Sequence, residues 1–194
     1  VNQIESFDNK PRFVDHGKLE IWKEDGKIEN GETGLLVNAK ALSLKDFFNR
    51  YKDKGLFEQN YRYFISQKKI DSQIINSLHK KRDQFWYLNN GIIIACKDFH
   101  FDGDNIKLTD FSIVNGCQTT TLLGQHGGSN EDIDFRIACK IVKPLNGINS
   151  TEAEFQSFIS SIAEASNSQK PISDRDLKSN DRVQQNLQKL LKNN

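Results

Sequence analysis

Residues 113–123 read Ile113-Val114-Asn115-Gly116-Cys117-Gln118-Thr119-Thr120-Thr121-Leu122-Leu123. Ile113 and Val114 suit the end of a strand, because side chains branched at Cβ pack well on a pleated surface. Asn-Gly accepts the positive φ of a sharp turn. The residues that follow predict a helix from Cys117 to Gln125, closed by Gly127-Gly128. A strand that turns straight into a helix aims main-chain N–H groups at one spot, and the positive end of the helix favours an anion there. Gln118, Thr119 and Thr120 would add side-chain donors at the same place. Plainer readings compete with this one: Asn-Gly as an ordinary hairpin turn, and the threonines as surface residues of an indifferent helix.

Working outward, Phe85-Trp86-Tyr87 leads into a second asparagine turn, Asn89-Asn90-Gly91, and then a buried strand from Ile92 to Cys96. Asp102-Gly103-Asp104-Asn105 is a polar hairpin turn between Phe99-His100-Phe101 and Ile106-Lys107-Leu108. Phe111 to Val114 forms another strand, and Phe135 to Val142 alternates apolar with polar residues. Nearer the start, Leu19 to Trp22 and Gly34 to Lys40 read as strands.

Ser43-Leu44-Lys45-Asp46 is a capping box, opening a helix with Leu44, Phe47, Phe48 and Tyr51 inward. A helix over 71–81 places Ile74, Ile75 and Leu78 on one face. Thr151-Glu152-Ala153-Glu154 is a second capping box, before Phe155, Phe158, Ile159 and Ile162. Two further helices are expected from Ser173 and from Asn180. Strands in the middle and helices at the end give an α+β fold: a small mixed sheet with a C-terminal helical part over about 151–194. Residues 1–42 are expected to be an N-terminal strand extension and 43–194 the core domain.

The 194 residues are enough for one well-buried domain. The longest apolar run, Ile92 to Cys96, is far too short to cross a membrane. The chain opens at Val1 and contains no Met, so it reads as part of a longer protein; no signal peptide is visible. Cys96, Cys117 and Cys139 form no CxxC pair, which fits a reducing cytoplasm. His16, His79, His100 and His126 lack ligand spacing, so no zinc site is expected. Net charge is +1, from 27 basic and 26 acidic residues. Proteins that clamp duplex DNA by charge alone carry a larger basic excess, so a nucleic-acid role needs a local basic groove or other parts of the protein.

Several residues admit two readings. Asn89-Asn90-Gly91 is either a tight turn beside the core edge or two amides and an aromatic wall placed against a base. Arg62, among Tyr61, Tyr63 and Phe64, either contacts phosphate or stacks on a ring and pairs with Glu58. Asn167-Ser168-Gln169 is either a helix C-cap before Pro171 or a set of ligand contacts. Asp174, Asp176 and Asp181 are either first-turn helix residues or carboxylates for Mg²⁺. Cys117 at a helix start is either a thiol of lowered pKa or a small packing residue.

Four blocks in order carry a family resemblance: Leu56-Phe57-Glu58-Gln59-Asn60-Tyr61-Arg62, Phe85 to Ile92, Ile113 to Thr119, and Asn167-Ser168-Gln169-Lys170-Pro171-Ile172. From about Leu56 to Leu191 the chain resembles the abortive-infection phage-resistance (AIPR) family. The resemblance implies a bacterial antiviral protein, often encoded beside restriction systems, with other defence proteins as partners. More distantly, Ile113 to Leu123 looks like the strand–turn–helix of ParB-like domains, including the DGQQR segment of modification-dependent restriction enzymes, where the turn is associated with nucleotide binding or hydrolysis. Here Asn115 stands in place of the aspartate and Thr119 in place of the arginine. A carboxylate and a phosphate-pairing cation are therefore missing, and Arg62 or Lys140 is the candidate replacement for the cation.

The leading expectation is a cytoplasmic domain, not membrane-associated, that binds nucleotide or nucleic acid at the two asparagine turns. Asn89, Asn90, Asn115 and Gln118 would orient the ligand, with Asn167 and Gln169 beside it. Gly116, Thr119 and Thr120 would hold phosphate, and Arg62 would supply charge. One alternative is a Mg²⁺-dependent nuclease or NTPase using Asp174, Asp176 or Asp181, although neither PD-(D/E)xK spacing nor a Walker motif is present. The other is a non-catalytic protein-interaction module.

Overall fold

Gly103, at φ 63°, turns the chain back on itself and sets up the longest ladder of the sheet. The computed structural model describes residues 12–60, 68–127 and 134–167. The elements run β1 (Val14–Glu20), β2 (Lys27–Asn30), β3 (Gly34–Lys40), α1 (Ala41–Tyr51), α2 (Lys68–Lys80), α3 (Phe85–Leu88), β4 (Ile92–Asp102), β5 (Asn105–Asn115), α4 (Cys117–His126), β6 (Arg136–Val142) and α5 (Glu152–Asn167). The strands expected on each side of Gly103 are continuous in β4 and β5. Lys97 and Asp110, which interrupt the apolar pattern, face each other as an ion pair at 3.3 Å within the ladder.

The six strands form one mixed sheet in the order β1-β5-β4-β6-β3-β2. Among the described residues, the β4–β6 pair alone is parallel. The sheet curls strongly. Just past β1, Ile21 bridges to Ala39 on β3, and the Trp22 N–H donates to the Asn38 carbonyl at 2.9 Å. Strands β1, β5, β4, β6 and β3 therefore almost ring an apolar interior that includes Leu19, Val37, Ile94, Ile113 and Ile141, closed over by Phe47 of α1 and Leu122 of α4. The stretch 14–40 supplies β1, β2 and β3 of this sheet. On the opposite face, Ala95 and Val114 pack on Phe155, Ile159 and Ala163 of α5. Both faces of β4 are thus covered, which is why Ile92 to Cys96 reads as a continuous apolar run rather than an alternation.

A β-bulge interrupts the ladder beside the Asn-Gly turn. Ile94 faces Ile113 while Ile93 faces Asn115, leaving Val114 as the extra residue. A bulge resets the alternation of sides. Ile113 points into the ring, and Asn115 is carried to the α5 side.

The two capping boxes have different outcomes. Thr151 and Glu154 form theirs: the Glu154 N–H donates to Thr151 Oγ1 at 3.3 Å, and the Thr151 N–H to Glu154 Oε2 at 2.8 Å. The box at Ser43 does not form, because α1 already begins at Ala41 and Ser43 lies inside it. Ser43 Oγ instead accepts the Glu20 N–H at 2.9 Å. The cap comes from far along the chain: Asp134 Oδ1 accepts the Leu42 N–H at 3.0 Å, and the Phe135 carbonyl accepts that of Ala41. Helix α2 starts at Lys68, three residues before Asp71. The helices expected from Ser173 and Asn180 lie outside the described residues.

Replacing Asp134 with Ala removes the side-chain acceptor at the start of α1. We expect a loss of about 1 kcal/mol, read as a lower urea midpoint at unchanged m-value.

Candidate functional site at the paired asparagine turns

Because β4 begins where β5 ends, the two asparagine turns lie at the same end of the sheet. Both glycines adopt a left-handed backbone, Gly91 at φ 77° and Gly116 at φ 99°, whereas the asparagines before Gly91 do not. A Cβ on Gly116 would lie 2.8 Å from Ile92 Cγ1 and 3.2 Å from the Gly91 carbonyl oxygen. A Cβ on Gly91 would lie 2.6 Å from the Ala138 carbonyl on β6. Three segments of backbone therefore meet here with no room for side chains between them.

The polar residues around this contact hold the turns in place. Asn89 is extended, and its Oδ1 accepts the Gly91 N–H at 3.1 Å, an Asx-type turn. Its Nδ2 donates to Thr119 Oγ1 at 3.1 Å, tying the first turn to α4. Thr120 is fully buried, and its hydroxyl donates to the Gly116 carbonyl at 3.0 Å. Thr119 and Thr121 are buried as well, so the threonines do not lie on the surface. Asn115, turned outward by the bulge, donates through Nδ2 to the Ser166 carbonyl at 3.2 Å in the last turn of α5. Gln118 Nε2 donates to Asp71 Oδ1 on α2. Asn90 differs: it is exposed and makes no hydrogen bond through its side chain among the described residues.

The register places a cation on the same face. Asn115 faces Ile93, Ile93 faces Lys140, and Lys140 faces Leu36. Residues paired across strands share one side of the pleat, so Asn115, Ile93, Lys140 and Leu36 form a single row on the α5 side. Lys140 is exposed and in no ion pair among the described residues. At this end of the molecule lie the start of α4 and the exposed Asn90 amide, with Lys140 two strands across from Asn115 in the same row, donor types that suit an anion with a polar edge.

Arg62 and Gln169 lie outside the described residues, as do Asp174, Asp176 and Asp181; Asn167 ends α5. Glu58, a partner considered for Arg62, binds Arg12, with Arg12 Nη2 3.0 Å from Glu58 Oε1. Sequence reasoning missed two partners, Asp71 for Gln118 and Asn38 for Trp86, because neither is signalled by local spacing. All three cysteines are buried. Burial raises the Cys96 thiol pKa and pushes that of Cys139 up to about 12, so both are protonated packing groups. Among the described residues, no group of three or more His, Cys, Asp or Glu is placed to hold a metal, and no helix is long and apolar enough to cross a membrane.

A family model described as AIPR protein matches residues 57–194, well over half of the chain. The chain belongs to this family of abortive-infection phage-defence proteins, and the match begins at the second residue of the Leu56 block. No curated protein and no solved structure matches the chain.

Gly116→Ala should cost about 1–3 kcal/mol, from a left-handed φ and a close contact together. Gly103→Ala, at φ 63° with open space around the added methyl, should cost clearly less. Equal losses of stability in urea would mean that the two turns do not meet as described.

A second expectation concerns pH. Arg136 binds Asp25 through Nε and, at 3.0 Å, through Nη2, holding the carboxyl below its ordinary value. The contribution of this pair is thus fully present above the unfolded carboxyl pKa and disappears as pH falls through the folded value. The stability difference between the protein and Asp25→Asn should be constant near neutrality and shrink only in the acid limb.

Proposed function

We propose that the chain is the part of an abortive-infection defence protein that binds a nucleotide or nucleic acid, with the ligand seated where the two asparagine turns meet. The observation that carries this reading is the backbone contact between Gly91 and Gly116. It brings the start of α4, the Asn90 amide and the Lys140 row to one end of the sheet.

In this reading the residues divide by task. Phosphate lies against the Gly116 main chain and the first turn of α4, with charge from Lys140. Asn90 presents its amide to the sugar or base, while Gln118, with its NH₂ on Asp71, braces the start of α4 against α2. Asn89, Asn115, Thr119 and Thr120 act one step removed, holding the turns through the bonds described above. Arg62, Asn167 and Gln169, in the family blocks, would complete the site. The turn resembles the ParB-like strand–turn–helix in its order of elements, and Asn115 in place of an acid favours binding without hydrolysis. Action in the cytoplasm beside restriction or other defence proteins belongs to the same proposal.

Fluorescence anisotropy with labelled ATP and with a labelled oligonucleotide tests it. Asn90→Ala, at an exposed position, should keep the melting temperature and weaken binding about tenfold, with Lys140→Glu weakening it further. Unchanged binding of both probes by both variants would sink the proposal.

A further inference from the structure

We infer that Trp86 is a preset stacking face for an unpaired base, so that the ligand is single-stranded nucleic acid rather than a free mononucleotide. This rests on the reading just given and specifies its ligand class. Trp86 and Tyr87 on α3 are 50% and 65% exposed, while Phe85 beside them is buried against Phe135 at 5.0 Å between ring centres. An indole that open to solvent usually has little to fix it.

Here a chain of polar contacts fixes it. Trp86 Nε1 donates to Asn38 Oδ1 at 2.8 Å, and Asn38 Nδ2 donates to Asp25 Oδ2 at 3.0 Å. Asp25 is held in turn by the Arg136 guanidinium, which lies over the Trp22 ring at 4.4 Å from its centre. Each link sets the next. With its NH₂ on a carboxylate, Asn38 has only its carbonyl to offer the indole, and the indole edge is bound while half of the residue stays open. A ring held in advance loses little freedom when a base stacks on it. Stacking on a fixed aromatic face accepts any base, whereas a single nucleotide is usually selected by its edge.

The surrounding charge fits a strand with several phosphates. Lys80 and Lys81 lead towards α3, and Lys140 lies on the neighbouring β6; all three are exposed and in no ion pair among the described residues. Asp83 on the same segment leaves 80–83 net positive. Even a triphosphate gathers its charge at one place, whereas these lysines lie on separate elements, Lys80 at the end of α2 and Lys140 on β6.

The test uses the full chain with three probes: a 12-nucleotide oligo-dT, the same length as a duplex, and ATP. The protein has two tryptophans, so the signal of Trp86 is identified by its loss in Trp86→Phe. The single strand should quench that signal. Trp86→Ala should bind it at least fivefold more weakly, Trp86→Phe should retain most of the affinity, and Asn38→Ala should loosen the indole in anisotropy decay and weaken binding to an intermediate degree. Melting temperatures check that each variant folds. Single-strand binding that is abolished by Asn90→Ala but untouched by Trp86→Ala would overturn this inference and leave the proposed function standing. Dependence of ATP rather than the oligonucleotide on Trp86 would overturn the ligand class. No binding of any probe by the unaltered protein would overturn both.

Discussion

The close approach of Gly91 and Gly116 is the constraint on which this end of the sheet depends. Strand β4 must start, and β5 must stop and hand over to α4, within one van der Waals layer. A side chain at either position would push the start of α4 away from the sheet, and that displacement would propagate. Helix α4 is buried along most of its length, with Cys117, Leu122 and Leu123 in the interior of the curled sheet. Tight interiors transmit such shifts rather than absorb them.

Polar side chains buried at such a junction have to be satisfied by the protein itself. Asn89 and Thr119 satisfy each other, Thr120 satisfies the Gly116 carbonyl, and Asn115 reaches a terminal carbonyl of α5. The asparagine-rich character of the turns is therefore first a requirement of the backbone geometry. Exposed Asn90, and exposed Lys140 in the row of Asn115, stay outside this network. The bulge at Val114 shapes this division, because it sends Asn115 to the α5 face instead of into the ring.

The parts of the fold legible in the sequence are those specified locally. Asp102 to Asn105 announces a hairpin by turn chemistry alone, β3 and β6 by alternation, and α5 by a capping box closed within four residues. The parts that were not legible depend on distant residues. The N-terminus of α1 is capped from 92 positions away by Asp134, so Ser43 looked like the cap when it was not. Strand β2, exposed at every residue on the sheet edge, carries no apolar pattern to read. The closure of the sheet through Ile21 and Ala39 likewise has no local signature. At the site, the positive-φ glycines could be read from Asn-Gly, but the direction of Gln118 towards Asp71 and the anchoring of Trp86 by Asn38 could not.

That last pair of contacts also bears on how the two ends of α3 relate. Phe85 anchors the element in the core, and the chain then runs through exposed Trp86, Tyr87 and Leu88 before Asn89 is tied back to α4. An exposed apolar segment held at both ends is costly to keep in water unless something covers it, since monomeric proteins seldom expose contiguous apolar area without a use for it. The Asn38–Asp25–Arg136 chain fixes the outermost ring of that segment instead of folding it inward. A sequence selected only for stability could have placed polar residues at 86–88. An anchored ring open to solvent is what the proposed stacking of a base on Trp86 would use.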